Sequence, residues 1–338
     1  MIFDKEALHI DPEGETQRIC EFITQQVLSE YKRKGVVIGL SGGVDSALLA
    51  CLCVRALGPE RVQGLLLPEK ESSPESAVFA TEQAAALGIR TETVDITPLL
   101  EAFGVYEERN AIVRGLCESY DPTTDEMKIT LPADLLNRDS LNVFSLIVKK
   151  PSGREFSYRL RPDQLNAIAS AQNVKQRTRM IQLYFLAEKL HCVVGGTTNG
   201  TEMDQGFFVK YGDGGADIEP LAHLYKTQVF QLAEHVGVIE EIRTRTPTPD
   251  TWPGGVTDEE FYFRMPFKTL DLLLFAWNEG FSADDVCRAL DLTAEQVNRA
   301  FRDFQSKQRT TWHMRALPPS LLKETSHRSA ATSSVDLV

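Results

Sequence analysis

The stretch VVIGLSGGVDSALLACL, residues 36–52, joins three kinds of sequence in one short run. Residues 36–40 form an apolar run of the kind that makes a buried strand, and SALLACLCVRALG, which ends at Gly58, has the pattern of an apolar helix. Serine and glycine lie between these two patterns. The stretch therefore predicts a strand, a glycine-rich loop and a helix, in that order.

The loop has the residue types that a phosphate-binding turn needs. Its glycines lack a Cβ, which lets phosphate oxygens approach the backbone, and the following helix points free N–H groups and its positive dipole end at an anion. Its hydroxyl groups add further donors. These residues are Gly39, Gly42, Gly43, Ser41 and Ser46. A carboxylate at position 45 would repel phosphate unless the two share a cation, so we expect Asp45 to bind Mg²⁺. Because no Gly-Lys-Ser/Thr follows, Walker-type chemistry on a γ-phosphate is disfavoured.

Strand and helix patterns alternate along much of the chain. RVQGLLLP and RTETVDI are strand patterns on either side of the helix pattern SPESAVFATEQAAALG, and HCVVGGT follows a long helix pattern. This alternation predicts an α/β fold with a doubly wound parallel sheet flanked by helices. Ligands are expected beyond the carboxyl ends of the strands.

One segment breaks this alternation. Residues 104–161 contain short strand patterns separated by turn formers, which predicts an inserted β-hairpin or small β subdomain. Residues 268–308 predict a helical C-terminal part. We therefore expect a single domain over residues 1–318 with this insertion, and a flexible tail rich in Ser, Thr and Ala at 319–338.

Composition narrows the class of protein. The 338 residues, 42% of them hydrophobic, can bury an enzyme-sized core, and a formal net charge of -12 argues against a broad nucleic-acid-binding surface. No apolar run has the length of a signal peptide or a membrane span, so we expect neither membrane nor nucleic-acid partners, and a cytoplasmic location. The six cysteines form no CxxC pair and are interpreted as buried, reduced thiols.

A second polar stretch, GGTTNGTEMDQGFFVKYGDGGADIEPLAHLYKTQV at residues 195–229, follows a predicted buried strand. Its position after that strand predicts that it lies at the same edge of the sheet as the first loop. Dense glycines interleaved with Glu202, Lys210, Asp217 and Lys226 indicate a charged site beside the phosphate loop. The alternative is a solvated loop with ordinary surface charges.

SGGVDS resembles the pyrophosphate loop of the N-type ATP pyrophosphatases, a loop shared by several synthetases and tRNA-modifying enzymes. Residues 195–229 resemble the signature of the NAD synthetase family. NVKQRTRM upstream and RTPTPDTWPGGVTDEE downstream agree with that family in order and spacing. QRTTWHMRALPPSL resembles the family's closing segment, with His313 at the family histidine and Met314 where a lysine is usual. A packed histidine with no contact to substrate is the other interpretation of His313.

The resemblance implies roles for individual residues. The implied ATP-binding residues are Gly39, Leu40, Ser41, Gly42, Gly43, Val44, Asp45, Ser46, Thr197, Lys226 and Thr248. The implied Mg²⁺ ligands are Asp45 and Glu202, and the implied residues for the deamido-dinucleotide are Arg177, Lys210, Asp217 and His313. Charge stabilisation during catalysis is expected chiefly from Asp45 with its Mg²⁺, Lys210 and Lys226. Arg177 and Arg179 lie close together on one predicted helix, so only one of them is expected to face the site.

The implied reaction is the ATP-dependent amidation of nicotinic acid adenine dinucleotide (deamido-NAD) to NAD. The carboxylate would be adenylated with release of pyrophosphate, and ammonia would then displace AMP. Because the synthetase-like sequence begins near the amino terminus, we expect free ammonia, or ammonia from a separate protein, rather than a fused glutaminase. The family resemblance also implies a homodimer.

Three other interpretations stay open. A related ligase could amidate another carboxylate such as nicotinate mononucleotide. The features that support this alternative are the insertion, Thr198 and Met314. A tRNA-modifying enzyme would need a basic surface and usually has reactive cysteines in a loop. The acidic net charge and the cysteines interpreted as buried argue against this class. A protein that only senses ATP is disfavoured because both Asp45 and Glu202 are present.

Overall fold

A parallel β-sheet forms the centre of the molecule, as the alternation predicts. The computed structural model describes residues 3–132, 134–137, 143–249 and 252–321. The strands are β1 Val36–Gly39, β2 Val62–Leu66, β3 Arg90–Thr93, β4 Glu126–Thr130, β5 Ser145–Lys149, β6 Glu155–Arg159 and β7 Val193–Gly195. Strands β3, β2, β1 and β7 lie in that order in a four-stranded sheet, and every neighbouring pair is parallel.

Helices cover both faces of this sheet, and further helices form the C-terminal part of the chain. They are α1 Pro12–Thr24, α2 Val44–Leu57, α3 Pro74–Leu87, α4 Thr97–Ala102, α5 Val105–Leu116, α6 Pro162–Leu190, α7 Gly200–Gln205, α8 Lys226–Val236, α9 Glu240–Thr244, α10 Phe267–Asn278, α11 Ala283–Ala289 and α12 Ala294–Arg315. Two π-helical segments, Gln25–Glu30 and Glu259–Phe263, and one 3₁₀ turn, Pro59–Arg61, complete the helical structure of the described residues. The doubly wound fold class is confirmed.

Burial explains why the central strands read as unbroken apolar runs. Val36, Val37 and Ile38 of β1 are fully buried, because helices pack on both sides of a parallel strand. One face packs against α1, α2 and α8, and the other against α4, α5 and α6. The central position of β1 places the loop that follows it in the middle of the sheet edge.

The β-rich segment forms a separate antiparallel sheet in the order β4, β5, β6. Its buried side packs against α5, the start of α6 and Trp252. Residues 105–116, which the sequence pattern placed in an irregular segment, form α5, whose buried side packs on α6. The amphipathic pattern of α5 is short and lies among turn formers, which is why the local sequence did not reveal it.

A helical C-terminal part follows, with α10, α11 and α12 around a core that includes Phe263, Leu270 and Phe304. Most of the predicted tail, residues 322–338, lies outside the described residues. All six cysteines are free, with Cys51, Cys53 and Cys117 buried and the other three only partly buried. Among the described residues, no helix combines the length and apolar character that a membrane span requires.

Candidate active site

The carboxyl ends of β1, β2 and β7 open into a cavity of about 560 Å³. Its walls include the loop after β1, residues 65–68 at the end of β2, and residues 194–197 at the end of β7. Because β7 is the direct neighbour of β1, the two sequence motifs meet across one strand spacing. The prediction that both lie at one edge of the sheet is confirmed.

The loop after β1 is shaped by its glycines and serines. Gly42 has φ +74°, and a Cβ at this position would lie 2.3 Å from the backbone oxygen of Ser76. The Ser46 hydroxyl donates to the Gly43 carbonyl oxygen at 3.1 Å and accepts from the Ser41 amide at 3.2 Å. Helix α2 begins at Val44, so its unpaired amides point toward the cavity. The loop is therefore folded tightly around a helix N-terminus, as an anion-binding turn requires.

Three charged residues from the two motifs meet beside this loop. Lys226 Nζ donates to Asp45 Oδ2 at 2.6 Å and to Glu202 Oε1 at 3.4 Å. The Lys226 side chain is only 2% exposed, whereas those of Asp45 and Glu202 are 17% and 16% exposed. A buried ammonium thus holds two partly accessible carboxylates at the mouth of the phosphate loop.

Asn199 fixes the orientation of both carboxylates. It is the N-cap of α7, and its side-chain oxygen accepts from the Glu202 amide while the Glu202 carboxylate accepts from the Asn199 amide, a reciprocal capping box. Its side-chain amide also donates to Asp45 Oδ1 at 2.9 Å. Asn199 is fully buried, so this geometry is rigid.

The electrostatics of the cluster follow from its burial. Loss of solvent raises the pKa of Glu202 to about 8, with the neighbouring Asp45 carboxylate adding to the effect and Lys226 opposing it. Burial lowers the pKa of Lys226, but Asp45 and Glu202 more than offset this and leave the pKa raised, so the side chain is a permanent cation. Burial also raises the pKa of a third acid, Asp258, to about 6.

The residues present fit a magnesium ion shared with a phosphate. Asp45 and Glu202 supply carboxylate oxygens, and Mg²⁺ in nucleotide sites commonly takes one or two carboxylates and completes its shell with phosphates and water. Within the described ranges, no group of three or more acidic, histidine or cysteine side chains could hold a metal by itself. The site is therefore suited to a cation that arrives with phosphate rather than to a protein-enclosed metal.

Most of the predicted ATP residues line this cavity. They are Gly39, Leu40, Ser41, Gly43, Val44, Asp45, Ser46, Thr197, Lys226 and Thr248, together with Glu202. Gly42 shapes the loop without lining the cavity.

The predicted dinucleotide residues lie elsewhere. Arg177 is exposed and donates to the Lys210 carbonyl oxygen at 3.3 Å, while Lys210 Nζ donates to the His313 carbonyl oxygen at 2.8 Å. Asp217 is hydrogen-bonded to the Val194 amide at 2.8 Å and to the Tyr184 hydroxyl at 3.2 Å. The structure thus groups Arg177, Lys210 and the His313 backbone on the surface outside the cavity, with Asp217 apart from them.

Four residues of the site were not among the predicted site residues. Arg179, rather than Arg177, lines the cavity, where its guanidinium donates to the Leu67 carbonyl oxygen at 3.2 Å. Arg245 also lines it and donates to the Ser76 hydroxyl at 2.9 Å. Asn199 was detectable, because Asn199 and Glu202 have the spacing of a capping box. Asp258 lies within the RTPTPDTWPGGVTDEE motif, but its place in the cavity depends on the path of a long loop, which the motif alone does not give.

Comparisons of the sequence with known proteins agree with one another. The sequence profile described as NAD synthase matches residues 15–118 and 133–318, and its gap falls within the 104–161 segment. The NH(3)-dependent NAD(+) synthetase of Mesorhizobium japonicum is 42% identical over 312 residues, 92% of this chain and 97% of that protein. The protein of the same name from Rhizobium meliloti is 43% identical over 323 residues, 96% of each chain.

Solved structures share the fold. An NMN synthetase from Francisella tularensis superposes with a TM-score of 0.64 at 24% identity, covering 92% of this chain and 98% of that one. An NH3-dependent NAD synthetase from Campylobacter jejuni, in complex with the nitrate ion, gives a TM-score of 0.61 at 22% identity, covering 93% and 100%. With the sequence profile matching on both sides of its gap and relatives above 40% identity along nearly the whole length, the chain belongs to the NAD synthase family.

Proposed function

We propose that this chain converts deamido-NAD to NAD, using ATP and ammonia and releasing AMP and pyrophosphate. The observation that carries the proposal is the convergence of Asp45, Glu202 and Lys226 beside a glycine-shaped helix N-terminus in one cavity. An isolated phosphate loop would suit many nucleotide-binding proteins. A loop joined to a buried lysine and two oriented carboxylates is suited to departure of a pyrophosphate with its cation.

In the first step, adenylation of the substrate, backbone amides, hydroxyl groups and Lys226 stabilise the leaving pyrophosphate. The carboxylate of deamido-NAD attacks the α-phosphorus of ATP, and the bond from that phosphorus to the β-phosphate oxygen breaks. The amides at the start of α2 and the Ser41 and Ser46 hydroxyls receive the charge that develops on the leaving pyrophosphate. Lys226 adds a fixed positive charge, which its burial keeps close to the phosphates and away from bulk water.

Asp45 and Glu202 would hold the magnesium ion. When bound, this ion neutralises phosphate charge and helps to align the phosphate chain. Asn199 holds both carboxylates in place for it through the two capping bonds and the bond to Asp45.

In the second step ammonia attacks the activated carbonyl carbon, AMP leaves with the electron pair of the broken bond, and one proton is released from the nitrogen. No covalent bond between enzyme and substrate is needed. We infer a cytoplasmic enzyme that uses free ammonia or ammonia delivered by a separate protein.

The second half of the substrate site is proposed to lie at a homodimer interface. Ile181 and Phe185 follow Arg177 at intervals of four residues on α6, so they form one stripe on the helix, and they are 53% and 65% exposed. Exposed apolar side chains beside Arg177 and Lys210 favour a second copy as their cover. Light scattering should give the mass of a dimer at micromolar concentration, and a monomer mass there would contradict this part of the proposal.

One assay tests the proposed reaction. Purified protein is given ATP, Mg²⁺ and ammonium with deamido-NAD, nicotinate mononucleotide or nicotinate, and pyrophosphate and amide product are measured. We expect stoichiometric AMP, pyrophosphate and NAD with deamido-NAD, and no turnover when glutamine replaces ammonium. Preferred turnover of nicotinate mononucleotide would reassign the substrate, and absence of pyrophosphate with every acid would refute the ligase.

A further inference from the structure

Asp258 is a buried acid in the cavity with no counterpart among the predicted site residues. It is 4% exposed, and its Oδ1 is inaccessible to solvent and accepts no hydrogen bond. It lines the same cavity as Asp45, Glu202 and Lys226 and interacts electrostatically with all three. A buried carboxylate oxygen without a partner is unfavourable, so a group that pairs with it in the working state is expected.

A structural role as a helix cap does not account for this side chain. Asp258 precedes the π-helical segment Glu259–Phe263, but its side chain makes no capping hydrogen bond. Thr257 and Glu260 cap this turn instead: the Thr257 hydroxyl accepts from the Glu260 amide at 3.1 Å, and the Glu260 carboxylate accepts from the Thr257 amide at 3.4 Å. The Asp258 carboxylate is left free for the cavity.

The antiparallel sheet holds the Asp258 loop in place. The Gly254 amide donates to the Met127 carbonyl oxygen of β4 at 3.1 Å, and Lys128 of β4 lies 3.5 Å from Glu260. The Asp258 amide donates to the Pro247 carbonyl oxygen at 3.1 Å, beside the cavity-lining Thr248. The loop is therefore anchored on both sides of the buried acid.

The charges at this end of the cavity do not balance. Three acids, Asp45, Glu202 and Asp258, face one ammonium group, that of Lys226. Lys226 donates hydrogen bonds to Asp45 and Glu202, and no bond from it to Asp258 is formed. A cation that arrives with the phosphates would supply the missing positive charge.

We propose that Asp258 is a third acidic residue of the cation site, and that it accepts a hydrogen bond from a water ligand of the divalent cation bound by Asp45 and Glu202. This inference rests on the proposed function. Contact through water rather than a direct bond is part of the proposal, because no group of three or more Asp, Glu, His or Cys side chains among the described residues could hold a metal ion by itself. Magnesium commonly keeps several waters in such sites, and acids that orient those waters tighten binding. Asp258 is thus a positioning residue, and the antiparallel sheet serves the site by fixing its loop.

The test is a titration of the full-length protein with Mn²⁺ in the presence of α,β-methylene-ATP, with free Mn²⁺ followed by electron paramagnetic resonance. Asp258→Asn keeps the size of the side chain and removes its charge. We expect it to weaken Mn²⁺ binding about 10- to 100-fold. Asp258→Glu, which restores the charge, should recover part of this loss.

The matched control is Glu107→Gln, which removes a carboxylate on α5 whose side chain is 81% exposed and which does not line the cavity. Its Mn²⁺ affinity should stay within about twofold of the parent, because an exposed charge is screened by water and salt. Each variant should unfold in a single cooperative transition without metal, which shows that the fold is retained.

The outcomes separate this inference from the proposed function. If the parent binds no Mn²⁺, or if Asp45→Asn binds it as well as the parent does, the cation site itself is wrong. If the parent binds Mn²⁺, Asp45→Asn loses it, and Asp258→Asn binds with unchanged affinity, only the role of Asp258 is refuted.

Discussion

Replacing Lys226 with Met tests the central electrostatic feature of the site. The change removes the ammonium that lies 2.6 Å from Asp45 and 3.4 Å from Glu202 while keeping an unbranched apolar stem of similar length. At an effective dielectric constant of about 20, the shorter contact alone is worth about 6 kcal/mol of attraction. Desolvation of the ammonium offsets part of this, and breaking a buried ion pair by removing one partner typically costs about 3–5 kcal/mol.

We therefore expect Lys226→Met to lower the free energy of unfolding by about 3–5 kcal/mol in the absence of divalent cations. Millimolar Mg²⁺ should reverse part of this loss, because the freed carboxylates then bind the cation and ligand binding stabilises the folded state. The assay is urea unfolding followed by circular dichroism, with and without Mg²⁺.

The control is Lys70→Met, which removes a lysine paired with Glu101 at 3.1 Å where both side chains are about half exposed. Exposed ion pairs are worth about 0–1 kcal/mol, so this variant should unfold almost as the parent does. The reasoning is refuted if Lys226→Met costs no more than Lys70→Met, or if Mg²⁺ stabilises it no more than it stabilises the parent.

Three further predictions concern single residues. Asp45→Asn should abolish pyrophosphate release in the ATP assay and lower the melting temperature without unfolding the protein, because the buried Lys226 then keeps only its longer 3.4 Å contact to Glu202; full turnover would disprove the metal role. Gly42→Ala should lower the free energy of unfolding by well over the roughly 1–2 kcal/mol that left-handed backbone strain costs, because the new Cβ would lie 2.3 Å from the backbone oxygen of Ser76. Gly88→Ala, with φ +66° and no atom within 4 Å of the new Cβ, should show the strain alone in thermal melts. Glu219→Gln should flatten the pH dependence of stability. Burial raises the pKa of Glu219 to about 8 from 4.5, so the folded state binds its proton more tightly, and parent stability falls as pH rises through this window, by on the order of 5 kcal/mol. Chemical denaturation from pH 4.5 to 9 checks the difference between parent and variant, and parallel curves would contradict the assignment.

Local patterns were sufficient for the parts of this molecule whose structure depends on neighbours in the chain. The strand, loop and helix at residues 36–58 have boundaries within a few residues of those predicted, because periodicity and a terminal glycine act over one or two turns. The parallel sheet followed from alternation, and the adjacency of the two motifs followed from the rule that ligands bind at the carboxyl edge. Asp45 could be named from its position at the start of the predicted helix, whereas the roles of Glu202 and Lys226 were implied by the resemblance to the NAD synthetase family.

Tertiary packing decided what sequence spacing could not. Arg177 and Arg179 are two residues apart on α6, and only the contact of that helix with the end of β2 turns Arg179 toward the cavity and Arg177 toward solvent. Asp258 is separated from Asp45 by more than two hundred residues, and it enters the cavity because a loop is bonded to the edge of a second sheet. Periodicity reports which face of an element is apolar, but the position of a residue relative to a distant one depends on how whole elements pack, and that information is absent from any short stretch of the chain.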